Sequence, residues 1–381
     1  MIRNVLPFLF IAPPLVYGIA SLFCARSFFR AQARKDGFLP PVTILKPVKG
    51  DDAESFENFA SFCRQDYPAS QIVFAVASAD DPAVPVIRRL MKAFPGADLE
   101  LVVDDRIYGP NHKVSNLINA YPKAKHDLIV VCDSDIRVGP RFLREVAMPF
   151  ADGNVGLVTS LYRSSGVRNM PAALESMGFT SDMIPNVLVA LRLEGLTFAL
   201  GASMAVRRSS LEKIGGFRAL ADYLADDYQL GNMVHRAGFK LALSAYFVES
   251  VTRRESLGSV LSRQLRWART MRVSRPAGYF ASVITQPAPA MLLAIASGGF
   301  SVAGWAAVLL LGAARLSFAT VFSRAFVRDG IFPRYLWLLP LRDLLASAVW
   351  LLAFLGNRVV WRSRVYRVLP GGKISDAGES G

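Results

Sequence analysis

A chain of 381 residues that is 52% hydrophobic and only 19% charged, with a mean hydropathy of +0.31, is too apolar for an ordinary soluble enzyme of its length. Its net charge of +14 does not mark a nucleic-acid binder, because many of the cations flank apolar segments and no zinc-finger, RRM or KH pattern is present; anionic lipid head groups are the better partner. Cys24, Cys63 and Cys132 are few and lack metal-ligand spacing, as in a reduced compartment.

Residues 5–25 carry no charge, and about 20 apolar residues suffice to cross a bilayer core. Residues 1–26 therefore read as a retained transmembrane anchor. For a cleaved signal peptide the run is too long and lacks a small-x-small exit before Arg26. Arg26, Arg30, Arg34 and Lys35 follow it, so the positive-inside rule puts the next region in the cytoplasm, at the inner (plasma) membrane.

Between residues 40 and 255 short β-branched runs alternate with helical stretches, the pattern of an α/β domain with a mostly parallel sheet flanked by helices. Strands are expected over 42–45, 71–77, 99–103, 128–132 and 156–160. Ligands of such sheets bind beyond the carboxyl ends of the strands. The first end carries the basic turn Lys46-Pro47-Val48-Lys49-Gly50, and the second Asp80-Asp81-Pro82, where turn chemistry alone is an adequate account. The third leads through Asp104-Asp105 to the polar stretch from Asn111 to Asn116, which opens a helix. The fourth is the most informative. An unbroken apolar strand stops at Asp133-Ser134-Asp135, which places two carboxylates on one side of the sheet edge. Hard cations such as Mg²⁺ or Mn²⁺ take carboxylate oxygens and keep positions open for substrate phosphates, so Asp133 and Asp135 suit a metal-bound nucleotide diphosphate. Asp226-Asp227 then opens another helix, where capping explains either acid alone.

Residues 256–275 form an amphipathic interfacial helix carrying Arg263, Arg266 and Trp267. The C-terminal membrane region, 276–356, begins with an uncharged stretch over 276–314 broken at Gly298-Gly299, which reads as a helical hairpin. A last apolar segment, 335–354, carries Arg342 and Asp343 near its centre, costly unless they pair or the segment lies at the interface. Residues 357–381 read as a basic tail. Because that tail carries Arg358, Arg362, Arg364 and Arg367, the segment before it is expected to make zero or two crossings, as a re-entrant or split helix.

An early Asp after the second strand, D-x-D, a later Asp and R-x-x-R-W ahead of membrane helices together resemble the family 2 and family 21 glycosyltransferases. The closer resemblance is to the ceramide glucosyltransferase family with its bacterial hopanoid branch, through the strings from Phe62 to Pro68, Lys113 to Leu117, Cys132 to Val138 and Leu224 to Tyr228. The resemblance covers roughly residues 40–280 and implies a GT-A type nucleotide-sugar-binding domain. It implies that Asp81, or its neighbour Asp80, contacts the uridine, that Lys113 and Asn116 line the nucleotide pocket, and that Asp133 and Asp135 hold the diphosphate through Mg²⁺ or Mn²⁺. Asp227, or adjacent Asp226, would be the general base, and Arg263, Arg266 and Trp267 would close over diphosphate and acceptor. The implied reaction is inverting transfer of one hexose from a UDP-sugar to a lipid hydroxyl: a hopanoid polyol with UDP-N-acetylglucosamine, or ceramide with UDP-glucose. A processive polysaccharide synthase shares the signature but needs more membrane helices, and a catalytically silent scaffold would not need all the motifs.

Overall fold

The computed structural model describes residues 2–31, 37–361 and 364–379; Arg34, Lys35 and Arg362, which entered the charge argument, lie outside them. The chain begins with a single long helix, α1 (Ile2–Ala31). Eight strands follow in one sheet: β1 (Val42–Pro47), β2 (Ser70–Val76), β3 (Asp98–Val103), β4 (Leu128–Cys132), β5 (Ile136–Arg137), β6 (Val155–Ser165), β7 (Ser203–Arg207) and β8 (Lys240–Val251), in the order β3-β2-β1-β4-β7-β6-β8-β5. The half containing β3, β2, β1 and β4 is parallel, as expected, with Ile44 opposite both Ile72 and Val130. β7 runs antiparallel to β4 and β6, and β5 antiparallel to β8, so the whole sheet is mixed. β7 is as long as β4 but starts with Ser203 and ends with Arg207, and β8 is broken up by polar residues, so neither shows a clear period in the sequence.

Both faces of the parallel half are covered. One carries α2 (Ser55–Cys63), α3 (Ala83–Ala93) and α5 (Phe142–Ala147); the other carries α4 (His112–Ala120), α8 (Arg208–Lys213) and α9 (Asp226–Arg236). Alternate residues of β4 divide between them. Leu128, Val130 and Cys132 pack with Phe59, Ile87 and Phe142, whereas Ile129 and Val131 pack with Val114, Leu211 and Leu230. Burial on both sides is why β4 reads as an unbroken apolar run.

The membrane-side elements are α6 (Met170–Gly178), a π-helical turn (Phe179–Met183), α7 (Ile184–Glu194), α10 (Leu257–Ser274), α11 (Pro276–Ala281), α12 (Pro287–Gly298), α13 (Val302–Phe322) and α14 (Leu339–Leu352). Three described helices, Arg3–Ala31, Val302–Val327 and Phe332–Leu352, are long and apolar enough to cross a membrane; Pro276–Thr285 with Pro287–Gly298 qualifies as a pair bent by 56°. The expected break at Gly298-Gly299 ends α12: Gly299 adopts φ 60°, and the Ser301 hydroxyl accepts the Gly304 N–H at 3.3 Å to start α13. This turn lies against the start of α1, so closely that a Cβ on Gly299 would meet the Arg3 guanidinium. The far end of α13 instead reaches the sheet domain, where Arg163 donates to the Val327 carbonyl at 3.0 Å and Phe29 stacks between Phe326 and Phe247.

The last apolar segment is one continuous helical stretch, not two. Its start packs Leu338 and Leu339 on α6, and beyond its end Arg272 of α10 donates to the Gly356 carbonyl at 3.3 Å, so its two ends are held by α6 and α10. Arg342 and Asp343 do not pair with each other. Arg342 meets Asp182 at 2.9 Å, and Asp343 meets Arg315 at 2.8 Å.

The reading of 357–381 as a mere basic tail is corrected. Strands β9 (Arg358–Trp361), β10 (Arg364–Val368) and β11 (Ile374–Glu379) form an antiparallel sheet whose Val359, Tyr366, Val368 and Ile374 pack on Leu224. Arg358 and Arg367 alternate with buried residues, but Arg364 shares the parity of Tyr366 and Val368, so no clean period-two pattern shows in the sequence. Val368→Asp would set a carboxylate in this packed seam. Limited proteolysis should then cut within 357–379 while the eight-stranded sheet survives; an unchanged cleavage pattern would contradict this packing.

Candidate active site at the ends of the parallel strands

At the end of β1, Lys46 is fully buried, donates to the Asp133 carbonyl at 3.0 Å and lies 3.8 Å from the centre of the Phe62 ring. Burial pushes its pKa down to about 8, against the pull of nearby Cys132, Asp133, Asp135 and Asp52. The turn after β1 is held by Asp81, whose carboxylate accepts the Gly50 N–H at 2.9 and 3.0 Å and the Ala83 N–H at 2.9 Å. Asp80 is exposed. Asn116 donates to the carbonyls of Val48 and Ala75, so it ties the ends of β1 and β2 together from α4.

The acids after β4 and at the start of α9 meet across one lysine. The Lys113 ammonium lies 2.8 Å from Asp133 and 3.2 Å from Asp226. Burial alone would lower its pKa, but these two carboxylates raise it above the ordinary lysine value. Asn111 caps α4 by accepting the Val114 N–H at 3.1 Å and donates to the Tyr223 carbonyl at 2.8 Å, which fixes α4 against the approach to α9. Asp135 takes the Ser250 hydroxyl at 2.7 Å, and Ser134 donates to Asp52. Burial, then the charges of Asp133 and Asp52, raise the Asp135 carboxyl to about 6.

Of the adjacent pair on α9, Asp226 is committed to Lys113 and Asn111. Asp227 has no ion pair among the described residues; it accepts only the Tyr228 N–H, at 2.7 Å. Burial first, and then the charge of Asp226, raise its pKa to about 6. Gly201 makes this position possible, because a Cβ there would stand 2.7 Å from the Asp227 carboxylate.

From the membrane side α10 closes the cluster. Arg263 forms a bidentate pair with buried Glu175, both contacts at 2.6 Å, and so is bound to α6 and not free to bind a phosphate. Arg266 has no carboxylate partner among the described residues; its guanidinium lies over Trp267 and Trp361, 6.0 and 5.7 Å from the ring centres. Burial, then Arg263, lower its pKa to about 10, while Asp227, Asp133 and Asp226 pull it back up. Trp267 packs on Phe179 at 5.9 Å, and Phe179 on Tyr162 at 4.9 Å.

The structure thus brings Lys113, Asp133, Asp135, Asp226, Asp227, Arg266 and Trp267 together. It leaves Asp80 outside, and gives Asp81, Asn116 and Arg263 holding contacts. Sequence reasoning named Lys46 only as part of the basic turn, and missed Asp52, Gly201 and Glu175. Asp52 follows that turn and could have been weighed with it, whereas Gly201 and Glu175 carry no local signal. Among the described residues no group of three or more His, Cys, Asp or Glu is arranged to hold a metal. The two acids of D-x-D, with the Asp135 carboxyl raised by burial and then by its acidic neighbours, are the residues that would hold a divalent ion beside a diphosphate.

A mixed sheet that delivers these acids from the ends of its parallel strands is the GT-A fold of nucleotide-sugar glycosyltransferases. The chain superposes with TM-score 0.52 on a mannosyltransferase from Pyrobaculum calidifontis solved with GDP-Man and Mn²⁺, at 17% identity over 92% of this chain and 99% of that one. The sequence profile of glycosyl transferase family 21 matches residues 6–374, and the chain belongs to that family. Among its relatives is ceramide glucosyltransferase 3 of Caenorhabditis elegans, 26% identical over 90% of this chain and 76% of the relative. A shorter stretch, 28% of this chain and 22% of the relative, is 36% identical to ceramide glucosyltransferase of Komagataella phaffii. The protein is a hexosyltransferase of that family, and three of its described helices are long and apolar enough to cross a membrane.

Lys113→Met would leave buried Asp226 and part-exposed Asp133 facing each other without a cation. Removing the partner of a buried charge costs about 3 kcal/mol, less where solvent screens it, as at Asp133. The thermal midpoint of the solubilised protein should fall clearly below wild type, with Lys113→Arg recovering most of the loss; an unchanged midpoint for Lys113→Met would contradict the bridge.

Proposed function

We propose that the protein is an inverting transferase that moves one hexose from a UDP-sugar to a primary hydroxyl of a membrane lipid, at the cytoplasmic face of the inner membrane. The observation that carries this is the pairing of two uncommitted groups: Asp227, a carboxylate without an ion pair, beside Arg266, a guanidinium without a carboxylate.

A lipid hydroxyl is a weak nucleophile, so a carboxylate must take its proton as it attacks the anomeric carbon. Asp227 is placed for this, with a pKa raised toward the working pH. The leaving diphosphate gains charge on the opposite side, and Arg266 is the cation available to meet it. Asp133 and Asp135 would hold a Mg²⁺ or Mn²⁺ ion, which supplies further positive charge to the diphosphate when bound. Asp226 and Lys113 keep Asp227 and Asp133 at fixed separation, and Asp81 and Asn116 shape the turn against which the nucleotide would lie. One in-line displacement converts an α-linked donor to a β-glycoside.

The topology that fits is an N-terminus outside and α1, the bent pair 276–298 and α13 as crossings. Helix α14 then lies along the boundary, because α6 holds its start and the interfacial helix α10 holds the turn beyond its end. Those crossings leave little material for a polymer channel. Relatives named ceramide glucosyltransferases favour ceramide with UDP-glucose. The strings Phe62 to Pro68 and Arg266 to Tyr279 favour a hopanoid polyol with UDP-N-acetylglucosamine.

The test is UDP release by purified protein in lipid nanodiscs with Mg²⁺ or Mn²⁺, crossing the two donors with ceramide and bacteriohopanetetrol. Release should depend on one lipid. Because the base acts only when deprotonated, the rate should fall as pH drops through about 6. No lipid-dependent release with any pair would overturn the reading.

A further inference from the structure

On the membrane side of the catalytic cluster a cavity of about 190 Å³ lies between α1, the π-helical turn, α13 and α14. At about 30 Å³ per molecule it has room for roughly six waters. Its largely apolar wall carries the charged side chains Asp182, Arg315, Arg342 and Asp343, and charged groups at such depth mark function more often than scaffolding.

Arg315 is fully engaged there. It forms a bidentate pair with Asp343 at 3.1 and 2.8 Å, and donates to Asp182 at 2.8 Å and to the Ser181 carbonyl at 3.1 Å. Arg342 is not. Its Nη2 meets Asp182 at 2.9 Å, but Nε and Nη1, together with the Ser181 hydroxyl, find no hydrogen-bond partner among the described residues, although the residue is only 8% exposed. Buried guanidinium donors without acceptors are costly. Gly178 abuts the Nε edge of Arg342, where a Cβ would collide, so the donor left for a guest is chiefly Nη1.

Charge decides the class of guest. Arg315 and Arg342 are balanced by Asp182 and Asp343, so an anionic phosphate would leave the cluster charged in a poorly solvated site. A hydroxyl or amide oxygen satisfies the same donors and keeps it neutral. The π-helical turn joins this cavity to the catalytic cluster within one turn: Phe179 packs on Trp267 and Tyr162, while Ser181 and Asp182 line the cavity. Such turns are frequent at functional sites.

We infer that the cavity receives the neutral, hydroxyl- or amide-bearing head of a membrane lipid on Arg342, and holds the acceptor behind the Phe179–Trp267 wall before its hydroxyl reaches Asp227. This rests on the lipid-transfer reading above. Ala346 lines the cavity on α14 outside the ion cluster, so Ala346→Leu fills it without removing a charge. In nanodiscs Ala346→Leu should raise KM for the accepted lipid at least tenfold and leave KM for the UDP-sugar and Kd for UDP unchanged. Arg342→Met should shift the same constant if it folds. Photolabelling with a diazirine ceramide should modify residues 178–186 in wild type and much less in Ala346→Leu, with a diazirine phosphatidylglycerol labelling weakly in both. An acceptor KM within twofold of wild type overturns the inference, as does preferential labelling by the phosphatidylglycerol. If wild type turns over no lipid, the transfer reading fails by itself. The labelling then still decides whether the cavity binds a neutral head group.

Discussion

The arrangement hangs on one ammonium group. Lys113, offered by the first turn of α4, joins Asp133 after β4 to Asp226 at the start of α9. Those two acids come from chain segments far apart in sequence, and without a cation between them they would repel in a poorly solvated space. With the lysine present, the N-terminus of α9 is pinned against the sheet edge, and the next residue, Asp227, has its side chain turned into the space beside Gly201. A carboxylate with no ion pair among the described residues is thus held in place by a neighbour that contacts both Lys113 and Asn111.

A second ionic cluster does comparable work in the membrane half. Arg315 and Arg342 meet Asp182 and Asp343 across the π-helical turn, α13 and α14, so apolar helices that would otherwise have only packing to fix their order are joined by directed contacts. Aromatic packing of Phe179, Trp267 and Tyr162 stands between the two clusters. The sugar chemistry therefore sits where the sheet domain meets the bilayer, which suits an acceptor that never leaves the lipid phase.

Much of this was legible in the sequence, and the exceptions have physical causes. Strand β4 and its D-x-D ending stood out because a strand buried on both faces must be apolar throughout and must stop where it reaches solvent. The parallel half of the sheet followed from the same reasoning. β7 and β8 were missed because strands bounded or interrupted by polar residues leave no clean period. The strands after residue 357 were missed because they are short, and charged residues at both parities leave no clean period. Adjacent acids could not be told apart, since Asp226 and Asp227 share the same helix start; only the lysine reaching from α4 separates them. Arg263 resembled Arg266 for the same reason, until Glu175 on α6 proved to hold one and not the other. Gly201 had no signal, because its importance is the absence of a side chain beside an acid distant in sequence.

The central claim is that Asp227, and not Asp226, takes the proton from the lipid hydroxyl. The most direct measurement is single-turnover transfer by Asp227→Asn with UDP affinity measured in parallel. Loss of a general base should lower the rate by about 10² to 10⁴ while Kd for UDP stays at the wild-type value. Transfer at the wild-type rate, or loss of rate accompanied by loss of UDP binding, would contradict it.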